Sequence, residues 1–162
     1  MRLTVRTDLA MRILMYCAVN GDRLTRSGEV AAVCNASAHH IAQVVNQLAS
    51  EGYLRTHRGR SGGVELARSP DAITVGEIFA HFEAELPLTE CFDSEGNTCP
   101  LSDGCRLRGA LINAVAAFYG ELEEITLAEL VAENMDLETA FSAGGCGAFR
   151  RGQSGPAIPA NI

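Results

Sequence analysis

A mainly helical fold carrying one small β-hairpin is what this chain of 162 residues predicts, and three observations predict it. Apolar residues recur at helical spacing through most of residues 5–51, interrupted by two short turns. A glycine- and arginine-rich stretch, Arg58-Gly-Arg-Ser-Gly-Gly63, then separates two short strand-like runs. After residue 105 the helical period returns and persists for about five turns. Two short helices, a tight turn and a hairpin in that order compose a winged helix-turn-helix. A long helix beyond such a head suits dimerisation, so the class is α+β, mainly α with a hairpin wing.

Each element has its own signal. Leu9, Ile13, Leu14, Cys17 and Ala18 form one stripe over residues 5–20, which stops at Asn20-Gly21. Ser27 is an N-cap candidate for a short helix of Glu29 to Cys34, and Asn35-Ala36-Ser37 turns the chain, with Ser37 as the next cap. In residues 38–51, Ile41, Val44, Val45 and Leu48 face inward while His39, His40, Gln43, Asn46 and Gln47 face out, the pattern of a reading helix. Tyr53 to His57 and Val64 to Ala67 are the strands of the wing, with Arg58 and Arg60 at its tip. Thr74 caps an amphipathic helix through Val75, Ile78, Phe79 and Phe82. Leu107, Leu111, Ala114, Val115, Phe118, Leu122 and Ile125 then mark the long helix, and Thr126 caps a last short one through Leu127, Leu130 and Val131. The expected organisation is a DNA-binding head at 1–83, a cysteine loop at 84–105, dimerisation and terminal helices at 106–142, and a disordered tail at 143–162, where Gly, Ala, Pro and Ser dominate without period.

The formal charge of −7 is unevenly spread. Residues 1–68 hold nine arginines against five acids, and residues 69–162 hold four arginines against fifteen acids. One end can therefore meet phosphate while the other stays soluble and repels it. No apolar run reaches the eighteen or so residues of a membrane span, and the polar start is unlike a signal peptide, so a cytoplasmic protein is expected. In that reducing setting six cysteines point to packing, metal binding or redox chemistry and not to disulfides. No Ser/His/Asp set, phosphate loop or pair of acids in a cleft is evident, and an enzyme is not expected.

Three cysteines stand together in a polar loop, Cys91-x7-Cys99-x5-Cys105. The spacing is neither that of a zinc ribbon nor that of a ferredoxin run. Three soft thiolates leave one ligand open, which suits an iron–sulfur cluster with a labile, non-cysteine fourth ligand better than zinc. Local candidates for that ligand are Glu85, Glu90 and His81, and Asp8 is a distant one. On spacing alone Asp8 is better explained as an i,i+4 partner of Arg12. Cys17 and Cys34 lie on apolar helix faces as core residues, Cys146 lies in the tail, and His57 and His81 are structural.

As a set, several segments resemble the iron–sulfur winged-helix repressors typified by IscR, RirA and NsrR. They are the opening Met1-Arg-Leu-Thr-x2-Thr-Asp8-x3-Arg12, the segment Val45-Asn-Gln-Leu-x3-Gly52-Tyr-Leu, and the wing Arg58-Gly-Arg-x-Gly-Gly63-Val-x-Leu. The three cysteines and Ala117-Phe-x3-Leu122-x3-Thr126-Leu-x2-Leu130 complete it, so that the likeness covers residues 1 to about 135. Within that family, Asp8 and the Phe118 to Leu127 segment resemble the NsrR branch.

That resemblance implies a homodimeric transcriptional repressor that senses nitric oxide through a 4Fe–4S cluster, with 2Fe–2S as the second choice. It further implies ligation by Cys91, Cys99 and Cys105 of one subunit and Asp8 of the other, damage to the cluster releasing a double-stranded DNA operator. An iron- or cluster-status-responsive regulator of the same fold is the alternative. The chain departs from the family in its glycine-rich extension after Ala143 and in the neutral Ala42 of the reading helix, which bear on the operator sequence. DNA contacts are expected from His39, His40 and Gln43 to base edges, from Ser37 to phosphate, and from Arg58 and Arg60 to the minor groove or flanking backbone.

Overall fold

The computed structural model describes residues 3–83, 88–93 and 96–142; Glu85, Cys146 and the tail from residue 143 lie outside them. Seven α-helices and one hairpin fill these stretches: α1 Val5–Val19, α2 Ser27–Val33, α3 Ala38–Ser50, β1 Leu54–His57, β2 Gly63–Leu66, α4 Val75–Glu83, α5 Arg106–Glu123, α6 Leu127–Val131 and α7 Met135–Ser142. Single turns of 3-10 helix occupy Pro70–Ala72 and Glu90–Phe92.

Local chemistry sets most of the boundaries. The Thr4 hydroxyl accepts from the Thr7 amide and opens α1, and Ser37 accepts from His40 and opens α3. At the turn between α2 and α3, Asn35 takes a left-handed backbone (φ 48°), which its short amide side chain tolerates. Thr126 and Glu129 form a reciprocal capping box on α6. Thr74 and Glu77 do the same on α4, the Glu77 amide donating to the Thr74 hydroxyl at 3.1 Å and the Thr74 amide to Glu77 Oε1 at 3.1 Å. One expected cap is displaced. Ser27 is the first residue of α2, while Arg26 holds the cap position with no side-chain hydrogen bond. The cause is tertiary: Thr25 pairs with Val64 of the hairpin through two backbone bonds of 2.8 and 2.9 Å, which keeps the chain extended until Arg26.

The core lies where α1, α2, α3 and α4 converge under the hairpin. Ile13 and Leu14, Val30 and Val33, Ile41, Val44 and Leu48, Tyr53, Val64, Ile73 and Ile78 are all buried, with Leu127 of α6 beside them. Burying such side chains stabilises by roughly 1.5–3 kcal/mol each, the dominant favourable contribution to the fold. Cys17 and Cys34 are buried here too, as their apolar positions predict. The hairpin is antiparallel, with Leu54 opposite Leu66 and His57 opposite Gly63. A short bridge of backbone bonds, Val75 to Ile125 and Leu127 to Ile73, both 2.8 Å, ties the end of α5 and the start of α6 to the entry of α4. Gly76 permits that approach, because a Cβ there would come within 2.8 Å of the Glu123 backbone. The last helix, α7, was not foreseen; it begins where Asn134 accepts from the Leu137 amide at 3.0 Å, and its Phe141 packs edge-on against Tyr16 of α1.

Candidate cysteine loop and nucleic-acid interface

Cys91, Cys99 and Cys105 are half-buried and carry free thiols, and all three fall in the segment joining α4 to α5. The segment is held by its own polar bonds. The Glu90 carboxylate accepts from the Thr98 amide at 3.0 Å and from its hydroxyl at 2.5 Å, which lowers the Glu90 pKa and fixes the chain beside Cys99. Arg108 donates from α5 to the Cys91 carbonyl at 3.1 Å and lies over the Phe92 ring. Cys105 caps α5, its sulfur accepting from the Arg108 amide at 3.4 Å. Thr89 Oγ1 stands 3.1 Å from Cys91 Sγ.

In kind these donors suit a soft metal or cluster: three accessible thiols within one loop, two of them beside basic or hydrogen-bonding groups. Within a single chain they are not gathered into one ligand set. Among the described residues no group of three or more His, Cys, Asp or Glu side chains is close enough to hold a metal ion.

The fourth-ligand candidates fall in different places. Glu90 is committed to Thr98. His81 is engaged with Tyr53, whose hydroxyl lies 2.9 Å from its Nδ1, and with Glu51 at 3.4 Å. Asp8 is half-exposed on α1 and pairs with Arg12 at 2.8 Å, the i,i+4 contact its spacing predicts. Arg12 does more than neutralise it. Its Nη1 also donates to the Cys34 carbonyl at 3.4 Å, in the turn between α2 and α3, so the carboxylate connects through one guanidinium to the helix-turn-helix. Sequence alone gave no sign of that second bond, since nothing local relates residue 12 to residue 34.

The expected DNA-facing residues are all exposed. His39 and Gln43 are exposed on α3 opposite its buried stripe of Ile41, Val44, Val45 and Leu48, with His40 exposed at the flank and Ser37 exposed at the cap. Arg58 and Arg60 are exposed in the loop between β1 and β2. His57 is tied to Glu65 across the hairpin at 2.9 Å, and Arg55 joins the same carboxylate at 3.1 Å. These contacts lower the Glu65 pKa, the His57 bond contributing most.

The family described as "Rrf2: Iron-dependent Transcriptional regulator" matches residues 3–133. This chain belongs to the Rrf2 family. It is 39% identical over 138 residues to the HTH-type transcriptional regulator NsrR of Shouchella clausii, covering 85% of this chain and 93% of that one. It is 39% identical over 140 residues to the regulator of the same name from Geobacillus kaustophilus, covering 86% and 95%. Among solved structures, CymR, the global cysteine regulator of B. subtilis, superposes with a TM-score of 0.64 at 26% identity, over 81% of this chain and 96% of that one. The IscR of T. potens superposes with a TM-score of 0.65 at 19% identity over 84% and 90%, a likeness of fold.

The winged-helix expectation therefore holds, and the chain is a DNA-binding transcriptional regulator of the Rrf2 family, similar to the NsrR type, not an enzyme. Among the described residues no helix is long and apolar enough to cross a membrane.

Proposed function

We propose that this regulator is a repressor that responds to nitric oxide, working as a homodimer with a 4Fe–4S cluster held by Cys91, Cys99 and Cys105 of one subunit and Asp8 of the partner subunit. The observation that carries the reading is the pairing of a three-thiol loop with a half-exposed carboxylate whose guanidinium partner reaches the helix-turn-helix. The similarity to NsrR regulators supports the choice of signal. Cys91, Cys99 and Cys105 with Asp8 of the partner subunit would hold the cluster, which would supply iron as the centre reactive toward nitric oxide. Everything else in the response belongs to the chain.

Asp8 has two alternatives, iron ligation and the ion pair with Arg12. An exposed pair of this kind is worth no more than about 1 kcal/mol, so it competes weakly with a metal bond and leaves the carboxylate available. As a hard oxygen donor among soft thiolates, Asp8 is also the ligand most easily released. If Asp8 ligates iron, Arg12 loses its carboxylate partner, and Arg12 also holds the Cys34 carbonyl where α2 hands over to α3. A hundredfold loss of DNA affinity needs about 2.7 kcal/mol of coupling, more than that contact supplies. The remainder is assigned to the dimer, since losing a ligand shared between subunits frees the spacing of the two heads on the duplex.

Dimerisation itself is assigned to α5. It spans 18 residues, roughly 27 Å, with none of them buried in the single chain and Leu107 and Ile112 exposed. A second reading, a repressor responsive to iron or cluster status, is favoured by the family's description as iron-dependent. Titrating anaerobically purified protein with nitric oxide and, separately, with an iron chelator while following DNA binding decides between them. Release at stoichiometric nitric oxide but slowly with chelator supports the first reading. The reverse order supports the second.

A further inference from the structure

The arginines of the head divide into two groups. Arg12, Arg23, Arg55 and Arg68 are each matched to a carboxylate, and Arg6 donates to Gln47. Arg26, Arg58 and Arg60 have no carboxylate partner among the described residues. Two of these unmatched cations, Arg26 and Arg60, line one cleft of about 420 Å³ between α3 and the hairpin, together with Ser27, Asn46 and His57. No acidic side chain lines it. The nearest hairpin acid, Glu65, is occupied by His57 and Arg55.

We propose that this cleft holds one phosphodiester of the DNA backbone, with Arg26 as its principal cation and Arg60, Asn46 and Ser27 as the donors beside it. It is a positioning contact, separate from the base-facing residues His39, His40 and Gln43 at the start of α3. Asn46 is exposed one turn beyond Gln43 on the same face, so the cleft continues the reading surface toward the wing. Its walls at Ala42, Gly59, Gly62 and Gly63 offer no side-chain hydrogen bonds, which favours charge over base pattern as the thing recognised.

The site is built into the fold. Arg26 directly follows Thr25, which is bridged to Val64 of β2 by backbone bonds of 2.9 and 2.8 Å, so its backbone is fixed against the wing. Gly63 allows the approach, because a Cβ there would stand 2.7 Å from the Thr25 carbonyl oxygen. Thr25 itself is buried, so the strand-like segment before α2 is packed against the hairpin it joins. The backbone tie sets where the Arg26 side chain starts, and its planar fork loses less freedom per hydrogen bond to phosphate than an ammonium would.

The test uses the full-length protein, with fluorescence anisotropy on two probes: a mixed-sequence duplex and a duplex selected from a random library by the wild-type protein. Arg26→Ala should lower affinity for both by a similar factor, about tenfold, and reduce the slope of log affinity against log salt by about one. Arg26→Lys should keep most of that slope, since a point charge still neutralises phosphate. Asn46→Ala should lower both affinities less and leave the slope alone. A wild-type slope in Arg26→Ala would overturn the proposal, and so would a loss confined to the selected duplex, which would make Arg26 a base reader. Because Arg26 is exposed, the variant's thermal transition should match wild type, and a matched transition with unchanged binding would likewise end the idea.

Discussion

The head and the long helix solve opposite problems with similar sequence patterns. In α3 the apolar stripe Ile41, Val44, Val45 and Leu48 is almost fully removed from solvent by its own chain. In α5 the stripe Leu107, Leu111, Val115 and Phe118 recurs at the same spacing, yet nothing in the helix is buried and Leu107 is 66% exposed. Both read as amphipathic helices, but only α3 buries its stripe fully within the chain; α5 lays Phe118 against Phe79 of α4 and leaves Leu107 and Ile112 exposed. The core around α3 is thus completed within the chain, Leu127 of α6 included, while the exposed side of α5 is shaped for completion by something else, which the proposed homodimer supplies.

Thiol chemistry should separate the regions most sharply. Burial pushes the Cys17 thiol up to about 12, with nearby Cys34 adding to the shift and the Thr25 hydroxyl opposing it. A thiol with so high a pKa is almost wholly protonated near neutrality and reacts poorly. Brief alkylation of native, metal-free protein, mapped by peptide mass spectrometry, should modify Cys91, Cys99 and Cys105 but neither Cys17 nor Cys34. Equal labelling at all five would break the contrast.

Ile41→Ala should cost about 2–5 kcal/mol in chemical denaturation, because it opens a cavity in a filled core. Leu107→Ser should leave the head's denaturation profile within about 0.5 kcal/mol while weakening self-association in analytical ultracentrifugation. If Leu107→Ser unfolded the head, α5 would belong to its core after all.

Where the regions lock together, Gly76→Ala should cost about 1–3 kcal/mol, since the new methyl meets the Glu123 backbone. A neutral result in the same denaturation assay would show that α5 can slide away from α4. The smallest stability effect belongs to Asp8→Ala, under about 1 kcal/mol for an exposed pair. Its absorbance in the loaded protein should nevertheless change and its response to nitric oxide should be blunted. An unaltered response would remove Asp8 from the ligand set.

What could be read from the sequence was mostly what is decided locally. Ser37, Thr74 and Thr126 cap where they were expected to, because the bond each makes lies three residues away. The hairpin followed from glycines and arginines between two strand-like runs. Ser27 was misplaced by one residue because a bridge from Thr25 to Val64, nearly forty positions on, sets where α2 begins. Helix α7 escaped because its eight residues are too short a run for a helical period to stand out. Its available signal was Asn134 as a cap, followed by Asp136 and Glu138 in the first turn.

At the candidate site the three cysteines and the exposed face of α3 were legible from spacing alone. The link from Asp8 through Arg12 to Cys34, and the cleft around Arg26, were not, since each joins residues that only packing brings near. Resemblance supplied Asp8 as a ligand, where spacing favoured its ion pair, and the ion pair is what a single chain contains.

Native mass spectrometry of the protein purified under strict anaerobic conditions tests the central claim most directly. The account predicts a dimer whose mass exceeds the polypeptide by one 4Fe–4S cluster per subunit, with the added mass altered by nitric oxide as DNA is released. A dimer or monomer of bare polypeptide mass, binding DNA equally well before and after nitric oxide, would contradict it.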